Sequence, residues 1–318
     1  MLRGPMPSFR HEGHRLVYTV YEPAAPAARR PGPSPEQRPL ILLHGLLLSQ
    51  RMHIPLARDL AGRGNRVITL DLLGHGRSDR PRDMWRYSMP GFGEEVVALM
   101  DHLGLDRAVV GGTSLGANVT LEVEARAPER VQGMVVEMPV LDNALLATAV
   151  AFTPLLVSLT FGERLMRLVG WAARAIPSDR VPFYVDVGLD ALRQDPAPSG
   201  AVLQGLFFGR VAPPRGERRT FSAPALVLGH RRDPIHPFSD AGMLANELAN
   251  SRLVQANSLI ELRLMPERLT EEIASFLDEC WAPAARSAGR RASSARRSGG
   301  RAGTGSGRAS AGGGEAAG

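Results

Sequence analysis

Residues 108–118 have the sequence AVVGGTSLGAN, in which a short β-rich apolar run precedes Gly112-Thr113-Ser114-Leu115-Gly116 and a stretch with helical spacing follows. A G-x-S-x-G motif between a strand and a helix forms a sharp turn that holds its serine in a strained backbone conformation. Glycines at both ends of the motif let the strand and the helix approach closely. The motif therefore predicts that Ser114 is a nucleophile at the carboxyl edge of a β-sheet, near the positive end of a helix dipole.

Strand-like and helix-like segments alternate on both sides of this motif. Short apolar runs of β-prone residues lie at 40–43, 67–70, 108–110, 134–136 and 225–228, and apolar residues with helical spacing lie at 92–103 and 269–280. Apolar runs without alternation are typical of strands that are covered on both faces, as in parallel sheets. We therefore predict an α/β fold with a doubly wound, mostly parallel sheet.

The alternation stops at residues 139–222, which are rich in Leu, Ala, Val and Pro. We expect this segment to be a helical lid over the carboxyl edge of the sheet, where ligands of α/β proteins bind. It divides the core into residues 1–138, with a Pro-rich loop at 23–39, and residues 223–282. Residues 144–161 carry no charge, but Pro154 interrupts them and they are barely long enough to cross a bilayer. We expect a buried lid helix or one in peripheral contact with a membrane, and no membrane span.

The net charge of +6 belongs to the C-terminal segment. Residues 283–318 carry seven arginines and one acid, Glu315, and contain no large apolar residue. This composition predicts a disordered tail, and it leaves the remaining chain formally neutral, so we expect no nucleic-acid partner. Residues 1–14 lack the apolar stretch of a secretory signal, and Cys280 has no second cysteine to pair with, so we expect a cytoplasmic protein.

A candidate oxyanion hole follows the predicted strand at 40–43. A loop at His44-Gly45 can direct the backbone N–H of Leu46 to the point that the N–H of Leu115 also faces. Two such donors would stabilise a tetrahedral oxyanion, each by about 3–4 kcal/mol in the transition state. His44 itself is expected to shape this loop.

These segments, together with residues 223–237, resemble the α/β-hydrolase superfamily, in particular its lid-bearing esterases and lipases. The resemblance covers about residues 15–281 and implies a triad in the chain order serine, acid, histidine. Asp233 follows the strand after the lid, where the family carries its acid, although a loop ion pair or a helix cap would also account for it. The resemblance puts the histidine at the position that Ser258 occupies here, and no histidine follows His236.

Three interpretations of the missing histidine remain open. The base is relocated, with His236 favoured over His230 and over a buried Glu261. Alternatively, the chain is a non-catalytic descendant that binds a hydrophobic ligand. In the third interpretation, the substrate itself supplies the acid–base help. A serine at the nucleophile position argues against the dehalogenase and epoxide-hydrolase branches, which the resemblance associates with an aspartate there.

We therefore predict a serine hydrolase that acts on a lipophilic carboxylic ester, with Ser114, Asp233 and His236 as catalytic residues. The expected partner is a small lipophilic molecule, because the lid is rich in apolar side chains, among them Phe152, Leu155, Phe161, Phe207 and Phe208. The sequence contains no lysine, which excludes a P-loop and a Schiff-base lysine. We expect no cofactor and no metal site, because the histidines are scattered and the cysteine is single.

Overall fold

The computed structural model describes residues 6–23 and 38–298 of the 318-residue chain, and for residues 283–298 it describes only the course of a helix. Within this part, eight strands form one sheet in the order β1-β2-β4-β3-β5-β6-β7-β8. Strands β3 to β8 are parallel, whereas β1 and β2 are antiparallel at one edge. The strands are β1 (Ser8–His11), β2 (His14–Tyr21), β3 (Pro39–Leu43), β4 (Arg66–Asp71), β5 (Ala108–Thr113), β6 (Val131–Glu137), β7 (Ala225–His230) and β8 (Ser251–Ala256).

Helices cover both faces of the sheet, which confirms the predicted doubly wound α/β fold. Helices α1, α10 and α11 bury apolar residues on one face, and α2, α3 and α9 do so on the other. The helices are α1 (Ile54–Gly62), α2 (Met89–His102), α3 (Leu115–Arg126), α4 (Leu145–Phe161), α5 (Glu163–Arg174), α6 (Phe183–Arg193), α7 (Pro196–Phe208), α8 (Arg215–Arg218), α9 (Phe238–Glu247), α10 (Glu261–Leu264) and α11 (Glu267–Ser298).

Each predicted apolar run lies in a strand, because every residue of β3, β5 and β7 is buried between the two helical layers. The two edge strands, β1 and β8, are not predicted from the sequence. Strand β1 pairs with β2 through a turn at Glu12 and Gly13, both of which have positive φ. Such two-residue turns join neighbouring strands of a hairpin, and here the second position is a glycine that adopts this conformation without strain.

Helices α4 to α8 lie between β6 and β7, and we call residues 139–222 the helical insertion. One side chain holds both ends of it, since Asn118 of α3 donates to the carbonyl oxygens of Val140 at 2.7 Å and Val211 at 2.8 Å. Buried Asp240 of α9 accepts hydrogen bonds from three backbone N–H groups at the start of the insertion, those of Leu141, Asn143 and Ala144. The insertion is therefore anchored to the sheet-covering helices at its base. That it acts as a lid stays a prediction.

The predicted tail does not begin at a break in structure. Helix α11 continues through residue 283 to Ser298, and alanine and arginine, which are frequent there, favour helix formation. The remainder of the predicted tail, residues 299–318, and most of the predicted Pro-rich loop, residues 24–37, lie outside the described residues.

The approach of α3 to the sheet leaves no room for a side chain at Gly116. A Cβ there would collide with the carbonyl group of Leu43, whereas a Cβ on Gly242 in α9 would meet nothing within 4 Å. We expect Gly116→Ala to lower the free energy of unfolding by about 3 kcal/mol through overpacking. We expect Gly242→Ala to leave it unchanged or to raise it by up to about 1 kcal/mol, since alanine favours helix over glycine. Urea unfolding followed by circular dichroism measures both values, and equal effects of the two changes would contradict this packing.

Buried Glu95 of α2 supports the loop after β4, because its Oε2 accepts the N–H of Leu73 at 2.9 Å. Burial raises the pKa of its carboxyl to about 8, with the hydrogen bond from Leu73 opposing this. At pH values between the ordinary pKa of a glutamate and the raised pKa of Glu95, the folded chain holds a proton that the unfolded chain has released. Stability is therefore lost as the pH rises through this window.

We expect Glu95→Gln to remove this pH dependence while its amide oxygen still accepts the Leu73 N–H. The variant and the parent should be nearly equal in stability near pH 5, and the variant should be more stable by about 2–4 kcal/mol near pH 8. Urea unfolding at both pH values gives the comparison. A difference that does not change with pH would show that Glu95 is ionised in the folded protein.

Candidate active site

Ser114 lies in the turn between β5 and α3, with φ of 55° and ψ of −109°. Non-glycine residues rarely adopt positive φ, so this conformation is strained and persists only because the surroundings impose it. The N–H of Ser114 donates to the carbonyl oxygen of Glu137 at the end of the neighbouring strand, at 2.9 Å. The serine is thus held at the carboxyl edge of the sheet, in the backbone geometry that the G-x-S-x-G motif predicts.

The hydroxyl of Ser114 contacts a histidine ring. Its Oγ lies 2.8 Å from Nε2 of His236, and Nδ1 of His236 lies 2.8 Å from Oδ2 of Asp233. An ionised carboxylate can only accept hydrogen bonds, so Nδ1 carries the proton and Nε2 accepts from the serine hydroxyl. The three side chains form one continuous series of hydrogen bonds from a carboxylate to a hydroxyl, which is the arrangement that activates a serine.

Asp233 is kept ionised by its own loop. Burial by itself raises the pKa of this carboxyl, but the hydrogen bonds from the His236 ring and from the backbone N–H groups of His236 and Ile235 outweigh it. The pKa therefore lies below its ordinary value. The carboxylate remains an acceptor for the proton on His236 Nδ1 at neutral pH.

Asp233 and His236 come from one short loop, residues 231–237, between β7 and α9. Oδ1 of Asp233 accepts the N–H groups of Ile235 at 2.8 Å and His236 at 2.9 Å, which closes a tight Asx-type turn. This turn places the imidazole of His236 beside the carboxylate three residues before it. The sequence analysis favoured His236 as the relocated base, and the structure brings it to Ser114.

The other two candidate bases are engaged elsewhere. His230 donates from Nδ1 to the carbonyl oxygen of Ser258 at 2.9 Å, and its Nε2 lies 3.4 Å from Glu137. Burial raises the pKa of Glu261, but an ion pair with Arg268 at 2.8 Å and a backbone N–H outweigh it and hold the pKa below its ordinary value. Neither side chain bonds to Ser114. The structure therefore does not support His230 or Glu261 as the base.

Two backbone donors flank Ser114. In the described part of the chain, the N–H groups of Leu46 and Leu115 donate to no other protein group. The loop after β3, which carries Leu46, is joined to the start of α3, which carries Leu115, because the N–H of Gly116 donates to the carbonyl oxygen of His44 at 3.1 Å. Leu47 next to Leu46 has φ of 58°, so the loop is strained here too. Free N–H groups on these two linked segments are suited to hold an oxyanion.

His44 uses both ring nitrogens to shape this loop. Its Nε2 accepts the N–H of Leu72 at 3.1 Å and its Nδ1 donates to the carbonyl oxygen of Gly45 at 2.9 Å. Only a neutral imidazole can do both, and burial lowers the pKa of this ring. This supports the loop-shaping role expected for His44.

An ion pair that is not predicted from the sequence supports the turn at Ser114 on the side of β6. Arg263 of α10 donates to the Glu137 carboxylate at 2.7 Å and to the hydroxyl of Thr113 at 2.9 Å. Burial by itself raises the pKa of Glu137, but the charge of Arg263 and the nearby His230 ring outweigh it and hold the pKa well below its ordinary range. A glutamate at the end of the apolar run at 134–136 is the one sequence signal that could have drawn attention to this cluster.

The helical insertion contacts the loop after β3 through charged groups. Arg51 pairs with buried Asp186 of α6 at 2.8 Å and also with Asp190. Arg193 bonds to the same Asp186 at 2.6 Å. Burial by itself raises the pKa of Asp186, and its hydrogen bonds to Arg51 and Arg193 outweigh this and lower it to about 2. This network fixes α6 against the segment that follows the candidate oxyanion loop.

One group of potential metal ligands lies apart from this site. The ligand atoms of His11, Glu12 and Glu94 lie within 4.8 Å of one another, on the β1–β2 hairpin and α2. Glu94 is distant along the chain from His11 and Glu12, so no sequence pattern indicates this group. All three side chains are at least partly exposed, and exposed acidic groups commonly approach each other without binding an ion.

Comparison with known proteins agrees with this architecture. A family model described as the alpha/beta hydrolase fold matches residues 38–166. The AB hydrolase superfamily protein YisY of Bacillus subtilis (strain 168) is 29% identical over 236 residues, which cover 70% of this chain and 84% of that protein. A haloalkane dehalogenase of Mycolicibacterium paratuberculosis (strain ATCC BAA-968 / K-10) is 34% identical over 116 residues, 36% of this chain and 37% of that enzyme.

Solved structures share the fold over nearly the whole described chain. The enol-lactonase from Burkholderia xenovorans LB400 superimposes with a TM-score of 0.66 at 21% identity, covering 85% of this chain and 99% of that one. At this identity the likeness concerns the fold alone. The relatives include hydrolases, and the match to YisY runs through most of both sequences. Together with the family model and the parallel sheet bearing a strained serine turn, these matches show that the chain has the α/β-hydrolase fold.

Proposed function

We propose that the protein is a serine hydrolase that cleaves a lipophilic carboxylic ester through an acyl-enzyme. The observation that carries this proposal is the pair of 2.8 Å contacts that link Ser114 to His236 and His236 to Asp233. Serine is a weak nucleophile unless an adjacent base takes its proton, and here the base lies at hydrogen-bond distance and is itself oriented by a carboxylate. Ser258 at the family's histidine position was the reason to consider a non-catalytic binder, and this contact supplies the base from another loop.

In the first step, the Oγ of Ser114 forms a bond to the ester carbonyl carbon and its proton moves to Nε2 of His236. Asp233 stabilises the resulting imidazolium through the Nδ1–H hydrogen bond. The carbonyl oxygen becomes an oxyanion that accepts hydrogen bonds from the N–H groups of Leu46 and Leu115. The bond to the leaving alcohol then breaks, and the alcohol oxygen takes the proton back from His236.

In the second step, water replaces the alcohol. The water oxygen bonds to the acyl carbon while His236 accepts a proton from the water. The resulting oxyanion accepts hydrogen bonds from the same two N–H groups. This tetrahedral intermediate then collapses: the bond between the acyl carbon and the Oγ of Ser114 breaks, and Oγ regains a proton from His236. The products are a carboxylic acid and an alcohol, and the protein returns to its starting state.

The apolar character of the substrate is inferred from the insertion. Phe152 and Leu155 of α4 and Leu206 of α7 are partly buried against the core cluster that contains Leu115. Phe161, Phe207 and Phe208, which also belong to the apolar residues from which the sequence predicts a lipophilic substrate, are instead exposed. The haloalkane dehalogenase and the enol-lactonase are named for different substrates, so the ester is inferred from the serine and the apolar side chains rather than from either name.

Replacement of the nucleophile or the base tests the proposal directly. We expect Ser114→Ala and His236→Ala each to lower the turnover of short p-nitrophenyl esters by about 10³–10⁴-fold or more. A serine-directed fluorophosphonate should label the parent chain and not Ser114→Ala. Unchanged turnover in Ser114→Ala would exclude the proposed mechanism.

Two variants serve as matched controls for these losses. Ser258→Ala removes a buried hydroxyl that has no hydrogen-bond partner, and His102→Ala removes an exposed imidazole that lies against the rings of Phe9 and Tyr18. Both should keep the parent turnover. Failure of the parent to react with ester or fluorophosphonate, together with tight binding of a hydrophobic ligand, would favour the non-catalytic binder.

The role of Asp233 has its own test. Asp233→Asn keeps the shape of the side chain but replaces an obligate acceptor with an amide that can also donate to Nδ1. His236 can then carry its proton on Nε2, where it cannot accept from Ser114. We expect turnover to fall by about 10⁴-fold while the fold and the binding of a product-like carboxylic acid are kept. Asp106→Asn, at an exposed position before β5, is the control. Equal turnover in Asp233→Asn and the parent would show that the carboxylate only closes its turn.

A further inference from the structure

Helix α4 presents an apolar stripe to solvent. Leu146, Val150, Val157 and Phe161 recur on one side of the helix, and Leu146 and Phe161 are 77% and 84% exposed. Of the seventeen residues of α4, only Leu159 is fully buried. Apolar helices of globular proteins normally bury such a stripe, so this one is left without a partner in the described chain.

Helix α5 continues the apolar surface and adds positive charge. Its buried side consists of small residues, Gly170 and Ala173, whereas Leu165, Leu168 and Trp171 are all more than half exposed. Three arginines border this apolar side: Arg164, Arg167 and Arg174. Arg167 pairs with Glu163, the single acid of the helix, and Arg174 donates to a backbone carbonyl of Arg193. The exposed side of α5 therefore combines apolar side chains with uncompensated positive charge.

Helices α4 and α5 meet at a sharp bend. Their axes turn by 99° at the break around Gly162, and the exposed ring of Phe161 lies directly at this break. The end of α7 lies near it, because Gln204 donates to the Thr160 hydroxyl at 3.0 Å, and exposed Phe207 and Phe208 follow within one helical turn. No single described helix is long and apolar enough to cross a membrane, and α4 with α5 reaches that length only as this bent pair.

We propose that α4 and α5 dock on the surface of an anionic lipid bilayer, with the bend at Phe161 and Gly162 inserted into the headgroup region. Helices that combine exposed Trp, Leu and Phe with arginine at the border lie in the membrane interface, where the apolar side chains reach the acyl boundary and the arginines meet lipid phosphates. Trp171 suits this depth, because its ring is apolar and its N–H can still bond to water or headgroups. The inference concerns where the protein acts and does not depend on the role of Ser114.

A second copy of the chain fits this surface less well than a membrane does. A symmetric dimer would bring the same face of both copies together, and with it the positive charges of Arg164 and Arg174 from both copies. Glu163 is already paired with Arg167 and leaves no acid on α5 to compensate them. The phosphates on the surface of an anionic bilayer supply the opposite charge without this repulsion.

Sedimentation with lipid vesicles tests the docking. Full-length protein is mixed with vesicles of phosphatidylcholine alone or with about 30% phosphatidylglycerol, at about 0.05 M and about 0.5 M NaCl. We expect at least about fivefold stronger binding to the anionic vesicles at low salt, and a loss of that preference at high salt. Leu165→Ser with Leu168→Ser should weaken binding to the anionic vesicles by about tenfold or more, and Arg164→Glu with Arg167→Glu should lower the anionic preference well below that of the parent.

Matched controls separate the docking surface from general effects. Leu264→Ser removes an apolar side chain of similar exposure from α10, and Arg10→Glu reverses an exposed charge on β1; both should bind as the parent does. The arginines of residues 283–318 are present in every variant, so their attraction to anionic lipid cancels in the comparison. Unchanged thermal unfolding confirms that each variant is folded. Equal binding by the α5 variants and the parent would overturn the proposal. The proposal would also be overturned if analytical ultracentrifugation without lipid showed that the parent is a dimer and that the Leu165 and Leu168 changes dissociate it.

Discussion

The carbonyl group of Leu43 lies so close to the start of α3 that only glycine fits at Gly112 and Gly116. This close approach makes the turn between β5 and α3 sharp and forces Ser114 to positive φ. It also brings the loop after β3 beside the first turn of α3, where the Gly116 N–H bonds to the His44 carbonyl oxygen. The strained conformation of Ser114 and the position of the candidate oxyanion donors therefore have the same steric cause. The same helix carries Asn118, which holds both ends of the insertion, so the insertion too is positioned from this turn.

The loop after β7 unites two functions that the family resemblance assigns to separate loops. Asp233 closes its own turn with two backbone N–H groups and orients the ring of His236 with its other oxygen. Because acid and base lie three residues apart, their relative geometry is set by a local turn and not by the packing of distant segments. The loop after β8 is then free of a catalytic histidine. Its α10 instead provides Arg263, which pairs with Glu137 behind the nucleophile.

The insertion faces two environments. Phe152, Leu155 and Leu206 pack towards the core, whereas the stripe through Leu146 and Phe161 and the arginine-bordered side of α5 point away from it. Hydrophobic composition alone does not separate these faces, because α4 is apolar around nearly its whole circumference. The ion pairs of Arg51 with Asp186 and Asp190 hold α6 to the loop after β3. The outer face can thus contact a surface while the inner contacts stay in place.

The sequence by itself determined the parallel sheet and the serine turn, because both depend on local properties: unbroken apolar runs require cover on two faces, and paired glycines mark the one sharp strand–helix junction. Sequence reasoning could also name His236 and Asp233 as candidates, since they are neighbours in the chain. Only the tertiary structure decided between His236, His230 and Glu261, because the choice depends on which side chain reaches Ser114 across 122 residues of sequence. The tertiary structure also revealed the Glu137–Arg263 pair, because the sequence gives no signal for a pairing across 126 residues. It revealed the exposure of Phe161 as well, because the outward face of an all-apolar helix leaves no periodic signal in the chain.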